Sequence, residues 1–487
     1  MRLHGQPAAV TETHCATVFF VGDQAFKIKK PLDLGFVDFS TPEARRKACH
    51  REVELNRQFA PDVYLGVAEV NGPDGKPCEW IVTMRRMPVD RRLAALVETG
   101  EDLDEPLRAV ARMLAAHHAS ARRSDAIDRA GSAAALRARW VDNLTAVESF
   151  CGDVVDEDAV VEIRERALRY VDGRGPLLAA RVAAGRIRDG HGDLLANDIF
   201  CLPDGPRVLD CLEFDAALRA VDGIDDAACL AMDLERLGAA TAAARFLDWF
   251  VEFSGRPRVP SLEHHYVAYR AVMRAKVACL RSAQGDPDSA TEARLLLQLG
   301  LDHLRAGEPM LILVGGAPGV GKSTVAGGLA DAWGAVLLSS DRLRKERAGL
   351  APGQDGSAPW RAGLYAPTQT EATYDALLER AGELLARGES VVLDASWAEA
   401  ATRAAVRKVA SANGSRIVEL RCVAPATVCA TRIRQRAGTG DPSDATPEIA
   451  ERLAAEFADW SEAVEVPTDQ PRGSALAVAL RAVGAAG

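Results

Sequence analysis

The sequence predicts two folds in series: an α+β region with a small strand-rich lobe and a larger helical lobe, then an open parallel α/β domain. Three observations predict this. Residues from about 13 to 90 alternate apolar and polar, as in TVFFVGDQAFKIKK and EWIVTMRRM, the period of half-buried strands. From about residue 101 to 282 the pattern turns mostly helical. Beyond a break, Met310 to Val314 is apolar throughout, as a strand covered on both faces must be.

Taken in order, the small lobe is interrupted by one helix, roughly Thr41 to Phe59, with Ser40-Thr41-Pro42 supplying cap and first-turn signals. The helical lobe is broken by a strand pair centred on Ile199–Cys201 and Val208–Phe214, with Pro203-Asp204-Gly205-Pro206 as its turn. Gly285-Asp286-Pro287-Asp288 is a turn or linker by composition. A helical stretch from Ala290 to Arg305 follows and stops at Ala306-Gly307-Glu308-Pro309. The expected organisation is therefore a first domain over 1–285 (small lobe to about 90), a helical linker over 286–308 and an α/β domain over 309–487.

Composition excludes several classes. With 48% hydrophobic and 26% charged residues in 487, the chain can form cores, and it is not a disordered or low-complexity protein. No run of about 18 uncharged apolar residues is present, so no membrane span is expected. The start, MRLHGQPAAVTETH, lacks a signal-peptide core, and a cytoplasmic location is the expectation. The net charge of −10 argues against a nucleic-acid partner. Ten scattered cysteines include no CxxC pair, which predicts buried thiols rather than a zinc site or a disulfide framework.

Two motifs carry chemistry. Gly316-Ala317-Pro318-Gly319-Val320-Gly321-Lys322-Ser323 fits GxxxxGK[ST] between an apolar strand and a helix-compatible run opened by Thr324. Glycines let backbone N–H groups turn toward phosphate oxygens, and the helix presents its positive end to the same anion. Lys322 supplies a point charge, and the Ser323 hydroxyl can ligate Mg²⁺. ATP and Mg²⁺ are the implied ligands. AVLLSSD predicts a second strand ending at Asp341, placed to take a proton from an acceptor hydroxyl. SVVLDASW predicts a third strand ending at Asp394, placed to hold the metal. In ATVCATRIRQRAG, Arg432 and Arg436 share a face if the segment is helical and could close over ATP; Arg434 lies between them. The turn-rich GTGDPSDATPE behind them could be the hinge of a lid.

The second motif is His191-Gly192-Asp193, in IRDGHGDLLANDIFCLPDGPRVLDCLEFD. Asp193 is followed by Asp198 and, on the far strand, by Asp210. One carboxylate can orient an acceptor hydroxyl while the others hold Mg²⁺. The acidic group Asp222, Asp225, Asp226, Asp233 and Glu235 could face a polycationic acceptor, or could be the solvated face of a helix.

These residues carry a resemblance. The last ~180 residues resemble small P-loop kinases related to polynucleotide 5′-kinase, chloramphenicol phosphotransferase and the zeta toxins, which implies transfer of the ATP γ-phosphate to a hydroxyl with Asp341 as base. Residues ~10–285 resemble the aminoglycoside phosphotransferase-like kinases, which share the protein-kinase fold and carry HGDxxxxN. The resemblance implies that Asp193 is the catalytic base. It places Asp198 at the asparagine position, with Asn197 beside it, and Asp210 as metal ligand, with Glu213 competing. AFKIKKP is similar to the strand bearing the phosphate-binding lysine, which implies Lys27 first and Lys29 second. Glu52 is the implied partner, Met84 to Met87 the hinge behind adenine and Gly22 the remnant of a glycine-rich loop. The fold class implied is a protein-kinase-like α+β domain fused to an α/β P-loop NTPase kinase domain. The order and the segments GDQAFKIKKPLDLGFVDFST and REVELNRQFAPDVYLGV resemble bifunctional aminoglycoside phosphotransferase/ATP-binding proteins. The implied partner is a small-molecule hydroxyl acceptor, with no membrane.

Overall fold

The computed structural model describes residues 2–3, 6–7, 9–12, 15–33, 38–436 and 439–485. The chain divides into two compact units. The first comprises residues 1–160, 180–258 and 266–301; the second gathers 302–487 with two stretches, 161–179 and 259–265. The helix expected as a linker runs Ser289–Ala306, and the division falls within it.

The first unit opens with an antiparallel sheet. β1 (Ala9–Glu12), β2 (Ala16–Val21), β3 (Gln24–Lys29), β4 (Tyr64–Asn71) and β5 (Pro77–Arg85) lie in the order β1-β2-β3-β5-β4. Gly22 and Asp23 form the two-residue turn between β2 and β3, and Gly22 takes the positive φ of 59° that the tight reversal requires. Helix α1 (Pro42–Asn56) starts where expected, with the Thr41 side chain accepting from the Ala44 N–H. It buries Cys49, Glu52, Val53 and Asn56, one helical face laid on the sheet. Around this contact Ala25, Tyr64, Val82 and Met84 form the lobe's core.

In the helical lobe, α2 (Asp104–Ser120), α3 (Gly223–Arg236) and α4 (Pro260–Ala283) frame the second motif. The expected hairpin is present but shorter and displaced. β6 (Ile199–Leu202) pairs with β7 (Gly205–Val208), so the turn is Pro203-Asp204 alone. Residues 209–214 leave the ladder because their N–H groups find other acceptors. Leu209 donates to the Asp198 carbonyl, Cys211 to Asn56 Oδ1 and Leu212 to the His191 carbonyl. Asp210 thus stands in an irregular segment at φ 62°, not on a strand.

The second unit is an open sheet of parallel strands. β8 (Met310–Gly315), β9 (Val336–Ser339), β10 (Val391–Asp394), β11 (Arg416–Val423) and β12 (Val464–Pro467) lie in the order β9-β10-β8-β11-β12. The central β8 feeds both faces: Met310, Ile312 and Val314 enter one core, Leu311 and Leu313 the other. Helix α5 (Lys322–Trp333) follows the glycine loop. The strand expected to end at Asp341 stops at Ser339, and Asp341 lies in the first turn of α6 (Ser340–Arg347). A carboxylate there complements the helix dipole, which favours starting the helix before it. Helix α7 (Ala426–Arg436) carries the arginines and α8 (Arg472–Ala485) closes one face.

Candidate active sites

In the second unit the sheet register brings the motif residues to one edge. Asp394 is level with Val314 on one side and Ser339 on the other, so the glycine loop, Asp394 and the start of α6 share the carboxyl ends of adjacent strands. The loop's backbone demands its glycines. Gly316 has φ 136°, and a Cβ there would sit 2.6 Å from the Cys422 carbonyl oxygen. A Cβ at Gly319 would sit 2.7 Å from the Cys429 carbonyl. Lys322 is the first residue of α5 and acts electrostatically on Asp394. Burial pushes the Asp394 carboxyl up, while the Lys322 charge and a hydrogen bond with Ser323 pull it back; the balance is upward. Asp394 Oδ1 is buried and without a hydrogen-bond partner. A buried, unmatched carboxylate oxygen beside a serine hydroxyl fits Mg²⁺, which takes one or two carboxylates plus nucleotide phosphates.

The structure gives the arginines of α7 more local tasks than expected. Arg432 donates through Nη2 to the Thr468 carbonyl at 2.6 Å, and through Nη1 to the Gly319 and Val320 carbonyls at 3.4 and 3.3 Å, bracing the loop from behind. Arg436, at the end of α7, donates to Ser443 Oγ at 3.2 Å within the turn-rich segment. Asp341 accepts from Arg344 at 2.8 Å, and Arg344 lies over the Tyr365 ring. Asp444 ties the turn-rich segment down: it accepts from the buried Lys345 at 2.9 Å and from the Tyr365 hydroxyl at 3.0 Å. Sequence reasoning missed Arg344, Lys345, Tyr365, Asp444 and Thr468. Only the DxxR spacing of Asp341 and Arg344 was locally visible.

In the first unit the two candidate lysines share one glutamate. Lys27 meets Glu52 Oε1 at 2.9 Å and Lys29 meets Oε2 at 2.8 Å. Each lysine also takes one of the competing acids: Lys27 pairs with Asp210 at 2.7 Å and Lys29 with Glu213 at 2.6 Å. The period of two along β3 explains the shared face, and Glu52 is fully buried on α1 opposite it. Burial disfavours the Lys27 ammonium, but the Asp210 and Glu52 charges outweigh this and hold its pKa well above the ordinary range. The Lys27 charge holds Asp210 low.

His191 is fully buried, its Nε2 3.0 Å from the Leu209 carbonyl and its ring edge-on to Phe59. It positions the turn. Its N–H and that of Gly192 donate to Asp226 at 2.7 and 2.9 Å, and His118 Nε2 lies 3.0 Å from the same carboxylate. Asp193 projects from this turn and meets Arg274 of α4, Nη1 to Oδ2, at 3.2 Å. Burial first, then the Asp210 and Asp193 charges, push Asp198 well above the carboxylate range. Asp198 lies within electrostatic range of Asp210 and Asp193, which are themselves paired with Lys27 and Arg274. Among the described residues no three His, Cys, Asp or Glu side chains converge on one metal position, so a divalent cation here would need phosphate oxygens among its ligands. Asn197 is exposed.

Four of the five members of the acidic group do not form a solvated face, and only Glu235 is half-buried. Asp222, Asp225, Asp226 and Asp233 are all buried. Asp222 is paired with Arg181, Asp225 with Arg270 at 2.6 Å, and Asp233 with Arg236 and the Ala196 N–H. Spacing on one helix could not show that α3 runs through the lobe's centre. All ten cysteines are free, and seven are buried. No helix among the described residues is long and apolar enough to cross a membrane.

Known proteins resemble this chain to the following extents. A family model described as an AAA domain matches residues 311–459. Uncharacterized proteins of Mycobacterium tuberculosis and Mycobacterium bovis are 43% identical over 465 residues, spanning 95% of this chain and 93% of theirs. Among solved structures, a GDP complex of aminoglycoside 2′-phosphotransferase-IIIa covers 61% of this chain and 93% of its own, at 16% identity and TM-score 0.38. A gluconokinase from Sinorhizobium meliloti covers 37% and 93%, at 22% identity and TM-score 0.28. The chain belongs to one family with these mycobacterial proteins.

Proposed function

We propose that this protein is an ATP-dependent phosphotransferase that moves the γ-phosphate to a small-molecule hydroxyl, with a second kinase-like site in its first unit. The observation that supports it most is the strand-end alignment of the glycine loop, Lys322, Ser323 and the buried, unpartnered Asp394 oxygen. The loop N–H groups and Lys322 bind the phosphates, and Ser323 and Asp394 hold the Mg²⁺, which neutralises phosphate charge when bound. Asp341 receives the acceptor proton at its carboxylate, after leaving its hydrogen bond with Arg344. Arg432 keeps the loop carbonyls in place, and Arg436 belongs to the covering segment.

In the first unit, Lys27, held by Glu52, binds phosphate, Asp210 and Asp198 hold metal, and Asp193 is the base. One feature favours a second reading for this unit, as a nucleotide-binding regulator: its base is already ion-paired to Arg274. The deciding measurement is ATP turnover against amino sugars, aminoglycosides, nucleosides and 5′-hydroxyl oligonucleotides. It is made on wild type, Lys322→Ala, Asp193→Ala and the double variant that carries both. Acceptor-stimulated turnover that survives in one variant and vanishes in the other assigns the chemistry. Full activity in the double variant would overturn the proposal, and ATP binding with no phosphorylated product would leave the regulator.

A further inference from the structure

Resting on the phosphotransferase reading of the first unit, we infer that its acceptor is an anion, a hydroxyl compound bearing a carboxylate or phosphate, and that Arg274 is the residue that selects it. Four of the five side chains of the acidic group on and before α3 are committed inside the fold, and Asp210 beside the base is taken by Lys27. Asp222 faces Arg181, Asp225 faces Arg270, Asp226 takes the His191 and Gly192 N–H groups, and Asp233 takes Arg236. The charge presented beside the base is instead the Arg274 guanidinium, on α4, 3.2 Å from Asp193 Oδ2. Both side chains keep access to solvent, 22% for Arg274 and 30% for Asp193, so a ligand can reach them.

The contact to Asp193 is made through Nη1, at 3.2 and 3.5 Å, and is not the two-nitrogen fork that guanidinium and carboxylate form when matched. A planar guanidinium held on one side offers its other N–H groups to a carboxylate or phosphate. A polycation would meet this charge at the position of the reacting hydroxyl and be repelled. An anionic acceptor does two things at once. It takes the Arg274 fork, and in doing so it releases Asp193 from the ion pair. The hydroxyl proton then passes to an Asp193 oxygen, the acceptor oxygen bonds to the γ-phosphorus, and the bond from that phosphorus to the β,γ-bridging oxygen breaks, leaving ADP.

The test uses the full chain carrying Lys322→Ala, so that turnover reports on the first unit. ADP release is followed with glycerate and glycerol 3-phosphate (anionic), glycerol and glucose (neutral), and kanamycin (cationic). The expected result is at least tenfold stimulation by an anionic acceptor alone. Arg274→Gln should raise the KM for that acceptor at least tenfold and leave ATP affinity within twofold. Arg274→Lys, which keeps the charge but not the fork, should fall between them, and it guards against a folding defect in the glutamine variant. Stimulation by a neutral or cationic acceptor, or an unchanged KM in Arg274→Gln, overturns the inference and leaves the phosphotransferase reading standing. If no acceptor of any charge stimulates a protein that still binds ATP, that reading of the unit falls, and the inference with it.

Discussion

Asp198 and Glu52 are both carboxylates in one small region, and their surroundings push them in opposite directions. Burial and two neighbouring aspartates raise Asp198, so the folded protein binds a proton there more tightly than the unfolded chain does. Stability from this group is therefore lost as pH rises above the ordinary carboxylate range. Asp198→Asn should raise unfolding stability at pH 7 by on the order of 1 kcal/mol in Mg²⁺-free buffer, with a smaller gain at pH 4, read by denaturant titration. Glu52 is the reverse. Burial opposes its charge, but Lys27 and Lys29 prevail and hold it below its ordinary value. Its contribution is present above that value and is lost as pH falls through the lowered pKa. Glu52→Gln should destabilise the protein by about 3–5 kcal/mol, because Lys29 would keep a buried charge with one partner fewer. An unchanged denaturation midpoint would refute the shared-glutamate arrangement.

Two elements carry the second unit's site, and each fails in its own way. The glycine loop is constrained by backbone approach: Gly316→Ala combines φ 136° with a 2.6 Å collision against the Cys422 carbonyl. ATP affinity at that site should drop at least tenfold, measured by nucleotide titration in the Lys27→Ala background. The turn-rich segment is held by Asp444 on Lys345, which is 1% exposed. Asp444→Ala should cost about 3 kcal/mol by leaving that ammonium buried without its counter-charge. Proteolysis around residues 439–446 should become faster in the variant, and equal cleavage rates would show that the tether does not order the segment.

Across the molecule, each unit carries its own lysine and carboxylates, Lys27 with Asp198, Asp210 and Asp193 in one and Lys322 with Asp394 and Asp341 in the other, to which the proposed function assigns phosphate binding, metal and base. Two independent sites should each lose only their own acceptor-stimulated turnover when mutated. Lys322→Ala and Asp193→Ala would then have additive effects on total ATP consumption, and removal of all turnover by Lys322→Ala alone would assign the chemistry to the second unit.

The sequence by itself determined the order of the two folds, the glycine loop between strand and helix, the Thr41 cap and the HGD turn. Each of these is written in contiguous residues, where propensity, capping and spacing act locally. Tertiary structure alone decided which charges meet. Asp193 and Arg274 are 81 positions apart, Lys345 and Asp444 are 99 apart, and Lys27 and Asp210 are 183 apart. It also turned an apparent acidic face into an internal scaffold, since only packing on all sides of α3 shows that its aspartates are buried. A side chain's charge is local information, but its partner is chosen by the chain's return from a distance, and no periodicity records that return.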